Sequence, residues 1–207
     1  MEKGSVMKLL LGSWLMTLSM LAAAYEEPAY ELRSTAVDYE VRYYAPYLVA
    51  QTTVQGDFGD TGIKGFRRLA GYIFGANSQL QSDGQRESVR MAMTTPVTRQ
   101  RTADQQRATT YSFVMEAAYT EETLPVPESE AVTIHRHPGG LMAVLRYSGR
   151  TTEKRFNAHV AELLAALERD KVVVTGEAVS AVYDGPFTLP FRRRNEVLIP
   201  IAAVPAD

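Results

Sequence analysis

The residues with metal-ligand chemistry are three histidines. His135 and His137 stand two apart near a strand, so they face one side. They would begin a metal site, but no third ligand is placed with them, and strand-end surface histidines are the commoner outcome. His159 falls at the margin of an apolar helical face beside Phe156 and Leu163. There it is either an axial iron ligand or a satisfied edge histidine. The chain has no cysteine, which removes thiolate metal sites, disulfides, cysteine nucleophiles and c-type haem attachment. It has no Gly-x-Ser-x-Gly elbow, no glycine-rich phosphate loop and no marked glycosidase-like pair among its scattered carboxylates. The densest charge cluster is Arg192-Arg193-Arg194-Asn195-Glu196. It reads either as a solvated loop with an internal Arg–Glu pair or as a place where arginines meet a carboxylate-bearing ligand.

These residues need a scaffold, and its pattern is mixed. Val89–Val97 alternates, with Val89, Met91, Met93, Thr95 and Val97 on one side and Arg90, Ala92 and Thr94 on the other, as a half-buried strand would. Pro96 should end that strand or put it at an edge. The preceding helix has Ile63, Phe66, Leu69, Ala70, Ile73 and Phe74 on one broad face, Lys64 and Arg68 opposite, and Arg67 and Tyr72 at the margins. Asp60 or Thr61 would cap it. Helix, opening strand and the partner strand over 109–115 would wall one pocket. Strands are also expected over 39–43 and 47–55, with a polar loop over 78–88 and a basic hairpin connection over 99–107.

The second half repeats this order after an irregular connector over 123–130. Strands are expected over 131–135 and 141–147, a helix over 152–169, and strands over 171–175, 179–183 and 197–201. The order strand, strand, helix, strand, strand occurs twice. It predicts an α+β fold of two similar β-β-α-β-β halves, forming a distorted antiparallel barrel flanked by two helices.

Ahead of this unit, Lys3 and Lys8 precede an apolar run to Ala24 that ends in three alanines. That is the pattern of a signal peptide over 1–24, with an uncleaved anchor as the alternative. A periplasmic or secreted protein is expected, with residues 25–38 as a linker or N-terminal arm before a domain over 39–201. The net charge of −2 offers no bulk attraction for nucleic acid. After signal removal no other segment would span a membrane, and the oligomeric state is open.

Several motifs then align with one family. Gly65-Phe66, Leu69, the run Tyr72-Ile73-Phe74-Gly75-Ala76-Asn77, Leu124-Pro-Val-Pro127, Met93-Thr-Thr-Pro-Val97, Tyr183-Asp-Gly-Pro186 and Pro190-Phe-Arg-Arg-Arg-Asn-Glu-Val197 together resemble the SOUL haem-binding family, from about Tyr39 to Ile201. The resemblance implies the same two-half barrel, related to gyrase-inhibitor-like effector-binding folds. It implies non-enzymatic binding of haem or another tetrapyrrole in an open apolar groove, as an exported carrier or buffer. By alignment the groove residues are Ile63, Phe66, Ala70, Gly71, Tyr72 and Leu189. Relatives carry basic groups at the positions of Ile63, Gly71 and Leu189, so Arg67, Arg68 or Arg192 would take over pairing with propionates. Two other readings stand beside this one: an effector-binding module for another amphipathic small molecule or a protein partner, and an enzyme acting on a groove-bound substrate.

Overall fold

The computed structural model describes residues 25–56, 61–102 and 108–205. The expected signal peptide, Asp60 and part of the 99–107 connection lie outside the described residues. In chain order the elements are β1 (Tyr30–Thr35), β2 (Glu40–Tyr44), β3 (Tyr47–Gln55), α1 (Gly62–Ile73), β4 (Asn77–Leu80), β5 (Arg86–Glu87), β6 (Val97–Arg101) and β7 (Ala108–Val114). There follow β8 (Val126–Pro127), β9 (Thr133–His137), β10 (Gly140–Tyr147), α2 (Glu153–Arg169), β11 (Val179–Val182), a short 3-10 turn (Pro190–Arg192) and β12 (Asn195–Pro200). Nine strands form one curled antiparallel sheet in the order β1-β2-β10-β12-β11-β6-β7-β3-β9, and β5-β4-β8 make a small second sheet.

This sheet order exposes the duplication. One half supplies β2-β3-α1-β6-β7 and the other β9-β10-α2-β11-β12. The halves meet where β11 pairs with β6, Ser180 opposite Arg99. Each half also lends its first strand to the other: β2 pairs with β10 and β9 with β3. The result is an α+β half-barrel with two helices against it, consistent with the expected distorted barrel.

Alternation along the strands gives the sheet two faces. Under α2 lie Val41, Ala143, Leu145, Tyr147, Val197 and Ile199, packed against Phe156, Leu163 and Leu167. Under α1 lie Leu48, Ala50, Val54, Tyr111 and Phe113, packed against Leu69, Tyr72 and Ile73. The opposite face of the second half gathers Tyr44, Met142, Val144, Ala181 and Leu198.

Several expectations need correction. Val89–Met93 runs outside any ladder; Thr94 makes an isolated bridge to Glu26, and ladder pairing begins at β6. Met91 is still buried and Arg90 exposed, but Thr94 turns inward and its Oγ1 donates to Val114 O at 2.6 Å. A hydroxyl that finds a backbone acceptor is as much at home inside as a methyl. The stretch expected as a strand over 171–175 contributes only an isolated bridge, Val174 to Ile201. The polar loop over 78–88 contains β4 residues and β5, and the 123–130 connector contains β8. Residues 25–38, expected as a linker or arm, include edge strand β1, which pairs with β2. Among the described residues, no helix is long and apolar enough to cross a membrane.

Candidate functional site

The face that α1 turns to the sheet is not the one its apolar side chains alone suggest. Gly65, Leu69, Tyr72 and Ile73 are buried, while Ile63 is 70% exposed, Phe66 41% and Phe74 48%. Gly65 is the reason. A Cβ there would lie 2.4 Å from Tyr111 Cδ2, so the missing side chain lets the Tyr111 ring reach the helix backbone. Thr61 Oγ1 and the Tyr111 hydroxyl are hydrogen-bonded at 2.7 Å, pinning the helix start to β7. The helix is thereby rolled about its axis until Ile63, Phe66 and Phe74 form an outward apolar stripe, with Ala70 half-buried between them.

At 100° per residue these four fall within one sector of the helix surface. Arg67 and Gly71 border it, with Lys64 beyond. The Phe66 ring meets the Phe113 ring edge-on, with centroids 5.5 Å apart, so it is anchored at its base and open at its tip. A Cβ on Gly71 would have nothing within 4 Å, which makes this margin flat and open. Arg67 is exposed with no partner among the described residues. Arg68, by contrast, donates from Nη1 to Thr52 Oγ1 at 3.3 Å and Thr53 O at 3.1 Å. Arg90 stacks over the Phe74 ring at 5.1 Å. An amphipathic anion would find an apolar bed with a free cation at its edge. The stripe itself carries no acid, base or nucleophile.

The other groove candidates are not on the helix stripe. Tyr72 points the opposite way: it is 1% exposed, and its hydroxyl donates to Pro125 O at 2.8 Å. A helical margin was too coarse to locate it once Gly65 rolled the helix. Leu189 is 54% exposed in the loop between β11 and the 3-10 turn, and Arg192 sits over Phe191 at 5.9 Å. Phe74 was on the apolar face, but nothing in the pattern marked it as a surface group.

His159 stands on α2. Its ring stacks on Tyr147 with centroids 4.2 Å apart, and Nδ1 is 2.9 Å from Glu162 Oε2. A carboxylate on one ring nitrogen is a usual second contact of a ligating histidine. His137 stacks on Tyr47 at 4.6 Å and accepts from Gly139 N through Nδ1; burial lowers its pKa. His135 lies 2.8 Å from Thr133 Oγ1. Among the described residues no group of three or more His, Cys, Asp or Glu side chains is gathered to hold a metal ion.

Glu196 is not in a solvated loop. It is 0% exposed and accepts from Arg42 at 3.0 and 3.3 Å, from Arg194 Nε at 3.1 Å and from the Tyr183 hydroxyl at 2.7 Å. Burial, then the Glu196 carboxylate, raises the Tyr183 pKa. Arg194 also grips both oxygens of Glu27 at 2.9 Å. This network ties the N-terminal arm to β12 and leaves none of its charges idle.

A cavity of about 670 Å³ opens at the end of the sheet by this arm, with Tyr47, Leu48, Met115 and Tyr119 in its walls. Its lining also holds Glu26, Glu27, Glu116, Glu121 and Glu122 against one arginine, Arg136. Carboxylates so concentrated repel an anionic ligand, so size alone does not make this the place for a molecule bearing propionates.

Comparison with known proteins follows the geometry. The family model described as SOUL heme-binding protein matches residues 25–200. No curated protein sequence matches. A solved structure described as a hydrolase from Listeria innocua aligns at TM-score 0.58 and 15% identity, covering 82% of this chain and 94% of that one. The EcmrR C-terminal domain aligns at 0.56 and 11%, covering 84% and 99%. An uncharacterized conserved protein from Listeria innocua aligns at 0.54 and 15%, covering 87% and 94%. At these identities the likenesses show the fold alone.

Proposed function

Since this chain belongs to the SOUL haem-binding protein family, we propose that it binds haem or a related tetrapyrrole against the outward stripe of α1, without turnover, as an exported carrier or buffer. The observation that carries this reading is the stripe itself. A three-turn helix leaves Ile63, Phe66 and Phe74 in water, although a buried face was available to it. Covering such a surface with a flat macrocycle yields several kcal/mol at about 25 cal/mol per Å², less the costs of association. Ile63, Phe66, Ala70 and Phe74 would meet the ring face, Gly71 would permit close approach, and Arg67 would hold a propionate. Bound haem would supply iron and its redox chemistry; the chain's own contribution is apolar cover and charge.

His159 stands on the other helix, stacked on Tyr147 of β10 and not on the stripe, so iron ligation by it is a separate reading that the same titration tests. The test is a haem titration followed in the Soret region. Gly71→Glu places a charged side chain where the fold leaves open space, so it blocks the stripe without disturbing the core. It should weaken binding tenfold or more, roughly the worth of one lost apolar contact area of this size. Unchanged affinity would remove α1 from the site. A Soret shift in His159→Ala would assign the ligand; an unchanged spectrum would leave packing as the explanation. Silence from haem and metal-free porphyrins alike would favour another amphipathic effector.

A further inference from the structure

The cavity beside the N-terminal arm combines apolar walls with negative charge that nothing nearby neutralises. Its volume of about 670 Å³ is that of a small-molecule site. Tyr47, Leu48, Met115 and Tyr119 give it apolar contact and two aromatic rings. The arm closes one side, held where Thr95 N donates to Glu26 O at 2.9 Å. His137 stacks on Tyr47 with centroids 4.6 Å apart. Burial lowers the His137 pKa and pushes the Tyr47 hydroxyl up to about 12, so both rings are uncharged at neutral pH.

The carboxylates divide into two kinds. Glu27 and Glu121 have cationic partners, Arg194 at 2.9 Å and Arg136 at 3.6 Å. Arg194 is shared with the buried Glu196, so it has no charge to spare. Glu26, Glu116 and Glu122 are held differently. Glu26 Oε1 accepts from Ala117 N at 2.6 Å, and Glu116 Oε2 from Ala92 N at 3.2 Å. A hydrogen bond from Thr120 holds the Glu122 carboxyl below its usual range. Neutral donors orient a carboxylate and favour its ionised form without cancelling its charge. None of these three is ion-paired with a cation among the described residues. Fixed negative charge beside electron-rich aromatic rings is the setting in which an organic cation is held, by Coulomb attraction and by cation–π contact together.

We propose that this cavity binds an amphipathic organic cation, an aromatic body bearing a quaternary or protonated amine, with the charge among Glu26, Glu116 and Glu122 and the rings against Tyr47 and Tyr119. Its lining shares no residue with the α1 stripe or with the loop between β11 and β12, and its ligand has the opposite sign to a propionate. The test is equilibrium dialysis of the full chain against three probes with one ring system, read by naphthalene fluorescence: naphthylmethyl-trimethylammonium, naphthylmethanol and naphthylacetate. The ammonium should bind saturably, one per chain. The alcohol should bind at least about tenfold more weakly, since it keeps the rings and loses the charge, and the acetate should not bind. Glu116→Gln with Glu122→Gln preserves shape and hydrogen-bond acceptors. It should weaken the ammonium about tenfold or more while leaving haem titration unchanged. Gly71→Glu, which blocks the α1 stripe, should leave the ammonium affinity as it was. No saturable binding of the ammonium would overturn the proposal, as would an alcohol or acetate that binds equally well. Ammonium binding that survives the double glutamine variant, or that is lost in Gly71→Glu, would place the cation elsewhere on the chain and overturn it too.

Discussion

Glu196 shows how much a single residue is fixed by its neighbours. Two guanidinium groups and a phenol converge on its carboxylate, with Arg42 3% and Glu196 0% exposed. An ion pair this deep gains little net stability over apolar residues of the same volume. Breaking it from one side is another matter, because the surviving charge stays buried. Glu196→Ala should therefore cost about 3–5 kcal/mol, seen as a lower denaturant midpoint with an unchanged slope. Arg42→Met combined with Glu196→Leu should recover most of that loss in the same experiment. A single Glu196→Ala variant as stable as the parent would mean that water or a rearranged arm reaches the site. The sequence places Glu196 beside three arginines and so suggests a local, solvated pair. Its deepest partner, Arg42, is 154 positions away, and no local pattern announces a contact across the sheet.

The same distinction between local pattern and tertiary contact governs the elements. The boundaries of β3 and the existence of both helices follow from periodicity and breakers, so they are legible. The rotation of α1 is not, because it turns on Gly65, a residue without a side chain to count. Apolar periodicity puts Ile63, Phe66 and Phe74 inward with Ala70; close approach to Tyr111 turns the first three outward and leaves Ala70 half-buried. Thus the candidate groove residues were found by family resemblance and motif, while their exposure could be read only from the packing. Two glycines on this one helix should respond in opposite ways. Gly71→Ala meets open space and should stabilise by about 0.5–1 kcal/mol through helix propensity alone. Gly65→Ala forces a methyl into the Tyr111 ring and should destabilise by about 1–3 kcal/mol, the usual cost of overpacking. Urea unfolding of the two variants in parallel checks both signs, and equal shifts would refute the asymmetric seating of the helix.

Across the molecule, the exchange of first strands makes the two halves depend on each other. β2 completes the second half by pairing Val41 with Ala143, and β9 completes the first by pairing Ile134 with Ala50. Between them, β11 and β6 share the central seam. A half released from its partner would lose a strand that buries apolar residues and gain two open edges, a combination that favours aggregation over an independent fold. The duplicated order in the sequence is compatible with two separable units, so this dependence comes from pairing and not from the repeat itself. The expected outcome is one cooperative transition. Tyrosine fluorescence sums residues of both halves, Tyr111 on β7 and Tyr147 on β10 among them, and its urea midpoint should coincide with that of far-ultraviolet circular dichroism. Two resolved steps would show that the seam and the borrowed strands are too weak to couple the halves. A mutation on α1, such as Gly65→Ala, supplies the sharper form of the test. If the halves are coupled, it should shift the α2 amides in hydrogen exchange as far as those of α1. If only the α1 amides lose protection, the helix opens alone, and the groove face would then be the less stable part of the fold.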